Sequence, residues 1–389
     1  MTSVRAVSAE FDLLCSMVRP RPDLAGIRGR IVAGVDFDIL LELAAVHGVR
    51  PMLLLALSVL SWKGVPGAIR TALQHFQKAH LMRVLSLADE ACRIARLFEA
   101  EGVHFAVFKG PALAAYLYGD ISRREYNDID VLVPPGQMAN AEALLTSLGF
   151  GNRQGDRAFR QAFLAYQRQY AFVRAEFDAA IDLHWHFSSL HLPFPVQPND
   201  IWPSLVAIPV GACTVPSLCD VDLALMLAGH GTKESWKSLS WICDFATFIE
   251  RTPDIDWLHI HGRARAQRSG DAILLGCAMA SGLLGTPVPA ALSKIVAGSR
   301  RVCGMAETLI ADMRQGLSHI SYIKPNFVDH ALCESWIDRM KVMSSLAVTP
   351  TPTDYFALPL PPALWPLYYV MRPLRLALRA AGLSRARTG

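Results

Sequence analysis

Apolar residues recur at helical spacing through the first hundred positions, and the pattern changes at Gly102. Asp38-Ile-Leu-Leu-Glu-Leu-Ala-Ala-Val-His is amphipathic, with Gly48 and Pro51 to end it, and residues 51–62 and 69–101 also read as helix. Val103-His-Phe-Ala-Val-Phe108 is a short apolar run stopped by Lys109-Gly110-Pro111, which predicts a strand and a turn. A short helix over 112–118 ending at Gly119 follows, then a strand at Asp128-Ile-Asp-Val-Leu-Val133. Residues 138–148 suit a helix capped by Gly149, and 170–176 and 180–187 suit two strands joined near Asp178. Helical spacing returns over 221–230, 237–250, 257–268, 271–284 and 292–315. Proline then dominates 323–366, with one helix near 328–345.

These patterns predict an α+β, mainly helical chain with a small mixed sheet. Its expected regions are an N-terminal helical region (1–100), an α/β core (101–190) and a C-terminal helical region (191–330). A proline-rich segment with a basic amphipathic tail completes it (331–389).

Composition narrows the picture. Hydrophobic residues make up 52% and charged ones 19%, which excludes a disordered chain. A mean hydropathy of +0.26 raises the question of membrane spans. The longest uncharged stretch, 272–293, is broken by Gly282, Gly285, Pro287 and Pro289 and reads as a buried helix and a turn. Pro359, Pro361, Pro362 and Pro366 break 355–371, so no transmembrane helix is expected. The first residues lack the apolar run of a signal peptide. No pair of the eight cysteines has the spacing of a zinc or redox site, so reduced thiols in a cytoplasmic protein are expected. A net charge of +4 is too small to imply nucleic acid.

The candidate chemistry lies in the acidic strands. Alternation places Asp128 and Asp130 on one face, roughly 6.5 to 7 Å apart, with Ile129 and Val131 turned to a core. Ile181-Asp-Leu-His-Trp-His186 repeats the logic, with Asp182, His184 and His186 opposite Ile181, Leu183 and Trp185. Neighbouring strands lie about 4.8 Å apart, so Asp182 can join the first pair. Three crowded carboxylates need a compensating cation, and oxygen ligands favour Mg2+ or Mn2+ over zinc.

The order strand, Lys109-Gly110, helix, Asp-x-Asp strand and a further Asp strand resembles the DNA polymerase β-like nucleotidyltransferase superfamily. More narrowly, it looks like the family of uncharacterised nucleotidyltransferases. The resemblance rests on Phe108-Lys-Gly-Pro-Ala-Leu, Tyr118-Gly-Asp120, Arg124 ahead of Asp-Ile-Asp-Val-Leu-Val and Ile181-Asp-Leu-His-Trp185. His230, Lys233, Trp236, Leu239, Trp241, Asp244, Ile255-Asp-Trp257 and Tyr368-Tyr-Val-Met-Arg-Pro373 extend it over about residues 10–375. Gly110-Pro111 departs from the Gly-Gly or Gly-Ser turn of the broad superfamily and offers neither hydroxyl nor N–H at its second position.

The resemblance implies transfer of a nucleoside monophosphate from an NTP such as ATP, with release of pyrophosphate. Asp128 and Asp130 would bridge two metal ions, while Asp182 would hold the catalytic ion and help deprotonate the acceptor hydroxyl. Lys109, Gly110 and Arg124 would bind phosphate. His230, Lys233 and Trp236, three apart, would line a helix, clamping phosphates and stacking a base, or else pack a helix end. His184 and His186 share the face of Asp182, where either would touch metal or substrate or, the favoured role, support the acidic residues by hydrogen bonds. The acceptor is a small molecule, a peptide or RNA, and the family suggests polysaccharide or modified-peptide biosynthesis. The tail from Arg372 to Arg387 interleaves arginines with Leu374, Leu376, Leu378 and Leu383, a pattern that suits peripheral contact with an anionic membrane or a solvated terminus. Two other readings share these motifs: a metal-dependent glycosyltransferase using Asp-x-Asp on a nucleotide sugar, and a catalytically silent nucleotide-binding scaffold.

Overall fold

The periodic segments of the first hundred residues fold as α1 (Val4–Met17), α2 (Leu24–Ala33), α3 (Phe37–Val46), α4 (Arg50–Val59) and α5 (Gly67–Ala100). Asp23 and Asp36 start α2 and α3 by accepting first-turn N–H groups with their carboxylates. The computed structural model describes residues 4–153, 168–175, 177–188, 193–315 and 336–380.

The sheet follows. Strands β1 (Ala106–Val107), β2 (Asp128–Leu132), β3 (Gly151–Asn152), β4 (Gln169–Arg174) and β5 (Phe177–His184) lie in the order β1-β2-β5-β4-β3. β2 and β5 are parallel and the other pairs antiparallel, so the sheet is mixed. β5 begins at Phe177, which puts Asp178 inside the strand rather than at the expected turn. Helix α6 (Gly110–Tyr118) joins β1 towards β2 and ends at Gly119, whose φ of +67° a side chain would resist. Helix α7 (Met138–Ser147) follows β2.

A hairpin of β6 (Val206–Val210) and β7 (Cys213–Ser217) interrupts a region expected to be helical. Pro209 and Pro216 hide it from a strand search, yet a two-stranded ribbon has edges on which proline is tolerated. Against this hairpin α5 brings Cys92 into a disulfide with Cys213, which corrects the expectation that all thiols are reduced. The two are 121 residues apart, so no local spacing could announce the pair. Cys15, Cys219, Cys243, Cys277 and Cys303 are free, and Cys333 lies outside the described residues.

The remaining helices are α8 (Asp220–Lys233), α9 (Leu239–Arg251), α10 (Trp257–Ala266), α11 (Gly270–Leu284), α12 (Ala290–Gly298) and α13 (Arg300–Arg314), then α14 (Trp336–Val348), α15 (Pro352–Ala357) and α16 (Tyr368–Ala380). The single helix expected over 292–315 is two, because the Ser299 side chain accepts the Val302 N–H and starts α13 anew. The helix expected near 328–345 begins in residues that are not described. α11 is buried on most of its circumference and ends at Gly285, as its uncharged sequence implies. Among the described residues no helix is long and apolar enough to cross a membrane.

Two cores result. One joins the N-terminal helices (Phe11, Leu43, Leu53, Leu57) to the later ones (Leu225, Phe245, Leu275, Leu309). The other packs the far half of α5 and α7 against the sheet through Phe98, Ile129, Val131, Ile181 and Leu183. Strand β2 serves both, since its Leu132 belongs to the first and its Val131 to the second. The face that carries the aspartates is therefore the face turned towards the helical core.

His47, fully buried at the end of α3, ties those helices together. Its ring accepts the Leu239 N–H at 3.3 Å, and its carbonyl accepts the Ser238 hydroxyl at 2.9 Å. Burial lowers its pKa from 6.5 to about 4. The unfolded chain therefore binds the extra proton first, so this contribution is complete above pH 6.5 and drains away as pH falls towards 4. Urea titrations across that window should show stability falling by up to ~1.4 kcal/mol per pH unit, flattened in His47→Gln. An identical acid limb in the variant would exclude His47 as its source.

Candidate active site

Register sets the site. Asp130 of β2 lies directly beside Asp182 of β5, Asp128 beside Ala180 and Leu132 beside His184. In a parallel pair such neighbours point to the same face, so both carboxylates and the His184 ring emerge together. Ligand atoms of Asp130, Asp182 and His184 all lie within 4.8 Å of one another. Asp128 is one pleat earlier on the same face and interacts electrostatically with both other aspartates.

Asp130 is only 4% exposed and is the most tightly held of the three. His184 Nε2 is 2.9 Å from its Oδ1, and Lys109 Nζ is 3.4 Å from the same oxygen. Burial pushes the Asp130 carboxyl up, but Lys109 and the His184 bond overcome it and hold the group below the usual carboxylate range. Asp128 has the opposite balance. Burial and the Asp130 charge raise it to about 7, against the pull of Lys109. Asp182 is also raised, by burial and then Asp130, with His184 and Lys109 opposing. The Gln169 amide donates to Asp182 Oδ2 at 2.7 Å.

The expected phosphate-binding turn is built on a close approach. Gly110 has φ +54°, and a Cβ there would sit 2.8 Å from the Asp128 carbonyl oxygen. Only glycine lets α6 start against β2. Pro111 falls in the first turn of α6, where its missing N–H has no intrahelical partner to lose. Lys109, just before the turn, reaches back over the carboxylates.

The other candidates divide. From α8, His230 and Lys233 face the same region across the seam: Lys109 and Asp130 act on both, and burial lowers both. His230 also packs edge-on against Trp241, ring centroids 5.2 Å apart. Trp236 does not join them. α8 ends at Lys233, and Trp236 follows with φ +48°, fully buried against Phe245 and Gly231. The three are not one helical stripe, because the helix stops before the third. Arg124 is buried, and its Nε donates to Asp244 Oδ2 at 2.9 Å, while the Tyr118 hydroxyl donates to Asp244 Oδ1 at 2.8 Å. It acts on Asp128 by its charge from within the protein. His186 lies beyond the end of β5, and burial with Arg168 lowers its pKa. Sequence reasoning passed over Gln169, one strand away from Asp182, and the role of Asp244 as anchor for Arg124. The alternation of β4 could have flagged the former; nothing local signals the latter.

A mixed sheet with Asp-x-Asp and a further Asp on neighbouring strands, beside a Lys-Gly turn that opens a helix, is a nucleotidyltransferase core. The sequence profile of the family described as uncharacterised nucleotidyltransferase matches residues 33–285, and the chain belongs to that family. No curated protein matches it. Among the solved structures that match, two align with about half of it. The solution structure of the antibiotic-resistance factor ANT(2'')-Ia gives 13% identity and TM-score 0.35, covering 49% of this chain and 95% of that one. The crystal structure of ANT(2'')-Ia in complex with adenylyl-2''-tobramycin gives 12% identity and TM-score 0.33, covering 47% and 97%. Likeness at this level carries no functional weight.

Gly110→Ala should lower stability by about 1–2 kcal/mol through its left-handed backbone alone, and the clash with Asp128 adds to it. Urea denaturation reads the effect. An unchanged midpoint would mean that the turn relaxes freely and that β2 is not pinned by it.

Proposed function

We propose that the chain transfers a nucleoside monophosphate from an NTP to a hydroxyl or phosphate acceptor, at a divalent-metal site formed by Asp128, Asp130 and Asp182. The observation that carries this reading is the register of Asp130 against Asp182, with Lys109 3.4 Å from the shared carboxylate. The donor set suits Mg2+ or Mn2+, since Asp130 and Asp182 bring carboxylate oxygens within 4.8 Å of one another and of the His184 ring, with Asp128 one pleat earlier on the same face. When bound, such ions stabilise the attacking and leaving oxygens of an in-line displacement.

The protein's own groups supply the rest. The acceptor oxygen bonds to the α-phosphorus as the bond to the bridging oxygen breaks, and pyrophosphate leaves with that electron pair. Asp182 takes the acceptor proton on its carboxylate. His184, committed to Asp130 through Nε2, orients that carboxylate. Lys109 from one side and Lys233 from the other meet the charge of the departing pyrophosphate. Arg124, engaged by Asp244, contributes a fixed positive field behind Asp128 instead of a direct phosphate contact. Acceptors of the classes implied by the family, small alcohols or sugar phosphates, peptide side chains and RNA, all present the nucleophile this geometry needs.

Pyrophosphate release measured with each NTP, Mg2+ or Mn2+ and pooled acceptors tests the proposal. Release should depend on added metal and fall by at least about 100-fold in Asp128→Ala and in Asp130→Asn. Release that survives either substitution would falsify the mechanism. Metal-dependent NTP binding without turnover would favour the silent scaffold, for which Pro111 in the phosphate turn is the one structural hint.

A further inference from the structure

Helices α14 and α16 carry their polarity inside out. Arg372 and Arg375 of α16 turn inward: Arg372 Nε and Nη2 donate to the Leu346 carbonyl at 3.0 and 2.9 Å, and its Nη1 to Thr351 Oγ1 at 2.8 Å. Arg375 Nη2 lies 2.6 Å from Asp354 Oδ1, and Asp354 is buried. The opposite face of α16 presents Val370, Leu374 and Leu378, four apart, and the first two are 71% and 61% exposed. On α14, Trp336, Met340 and Met343 form a second exposed apolar stripe, with Trp336 74% exposed. The unit's own main apolar core is Tyr355 and Tyr368 with Leu360, Trp365 and Met371 against them. A helix pair in water normally turns its apolar stripes to each other. Here an Arg–Asp network occupies that inner position and the stripes face out.

Charge selects what covers them. Over 336–380 the cations are Arg339, Lys341, Arg372, Arg375 and Arg379, and the acids are Asp338 and Asp354, each already in an ion pair. A second copy seated on this face would set like charge against like. An anionic lipid surface offers the opposite charge and an apolar interior together, and Trp and Tyr residues such as Trp336 and Tyr369 suit its boundary. Neither helix is long and apolar enough to span a bilayer. We propose that α14 and α16 form a lipid-binding face that seats the protein on the surface of an anionic membrane, with Trp336, Val370 and Leu374 entering the acyl boundary. The sequence offers the basic tail from Arg372 to Arg387 as a membrane contact or a solvated terminus, and its part beyond residue 380 lies outside the described residues. The apolar stripes carry this proposal, with Arg339 and Lys341 on the same unit as the flanking cations.

Cosedimentation of the full chain with phosphatidylcholine vesicles, with and without phosphatidylglycerol, is the test. The chain should bind the anionic vesicles preferentially, and Val370→Asp with Leu374→Asp should weaken that binding at least about tenfold. Its thermal midpoint should not move, because both side chains are exposed. Arg339→Glu with Lys341→Glu should remove the preference for anionic lipid. The proposal fails if the wild-type chain ignores both vesicle types, or if the Asp variant binds as the wild type does. It also fails if the chain dimerises instead and the same Asp substitutions break the dimer, since the face then belongs to a second copy.

Discussion

Asp130 and Asp182 stand at one level on adjoining parallel strands, on the face turned towards the helical core, where Asp130 is buried and Asp182 is half-buried. Two carboxylates within 4.8 Å repel by roughly 3 kcal/mol at an effective dielectric of about 20. The surroundings answer that repulsion unevenly. Lys109 and His184 converge on Asp130, Gln169 donates to Asp182, and Asp128 is left raised. The strand register is what gathers these groups on one face. A slip of one residue would turn every one of these groups into the opposite core.

Much of this was legible in the chain because it depends on short-range rules. Alternation in Asp-Ile-Asp-Val-Leu and Ile-Asp-Leu-His places the acids opposite the core residues, and Ile129, Val131, Ile181 and Leu183 are buried accordingly. The ends of α6 and α11 were visible in Gly119 and Gly285. What escaped was decided at a distance. Trp236 falls on the arithmetic stripe of His230 and Lys233, but the helix ends first and the ring fills the core. Arg124 is engaged by Asp244, 120 residues on, a partner that no local pattern announces. The Cys92–Cys213 bond and the proline-bearing hairpin that supports it have no local signature either.

The two halves of the candidate site have different origins, and this bears on how it would respond to change. The carboxylates belong to β2 and β5 and are fixed by sheet pairing and by the close contact of Gly110 with the Asp128 carbonyl. His230 and Lys233 arrive on α8, whose position is set by the helical core that runs from Phe11 to Met313. The turn that ends α8 is itself constrained: a Cβ at Gly231 would meet the Trp236 ring at 2.5 Å, and Ser235 and Trp236 both take left-handed backbone conformations. Such a turn persists only because buried Trp236 over-determines it. His230 and Lys233 are therefore held in place by the packing of a buried indole, and the aspartates by sheet hydrogen bonds. A change in the helical core can move Lys233 relative to the carboxylates without altering either, so the two halves of the candidate site have separate structural causes.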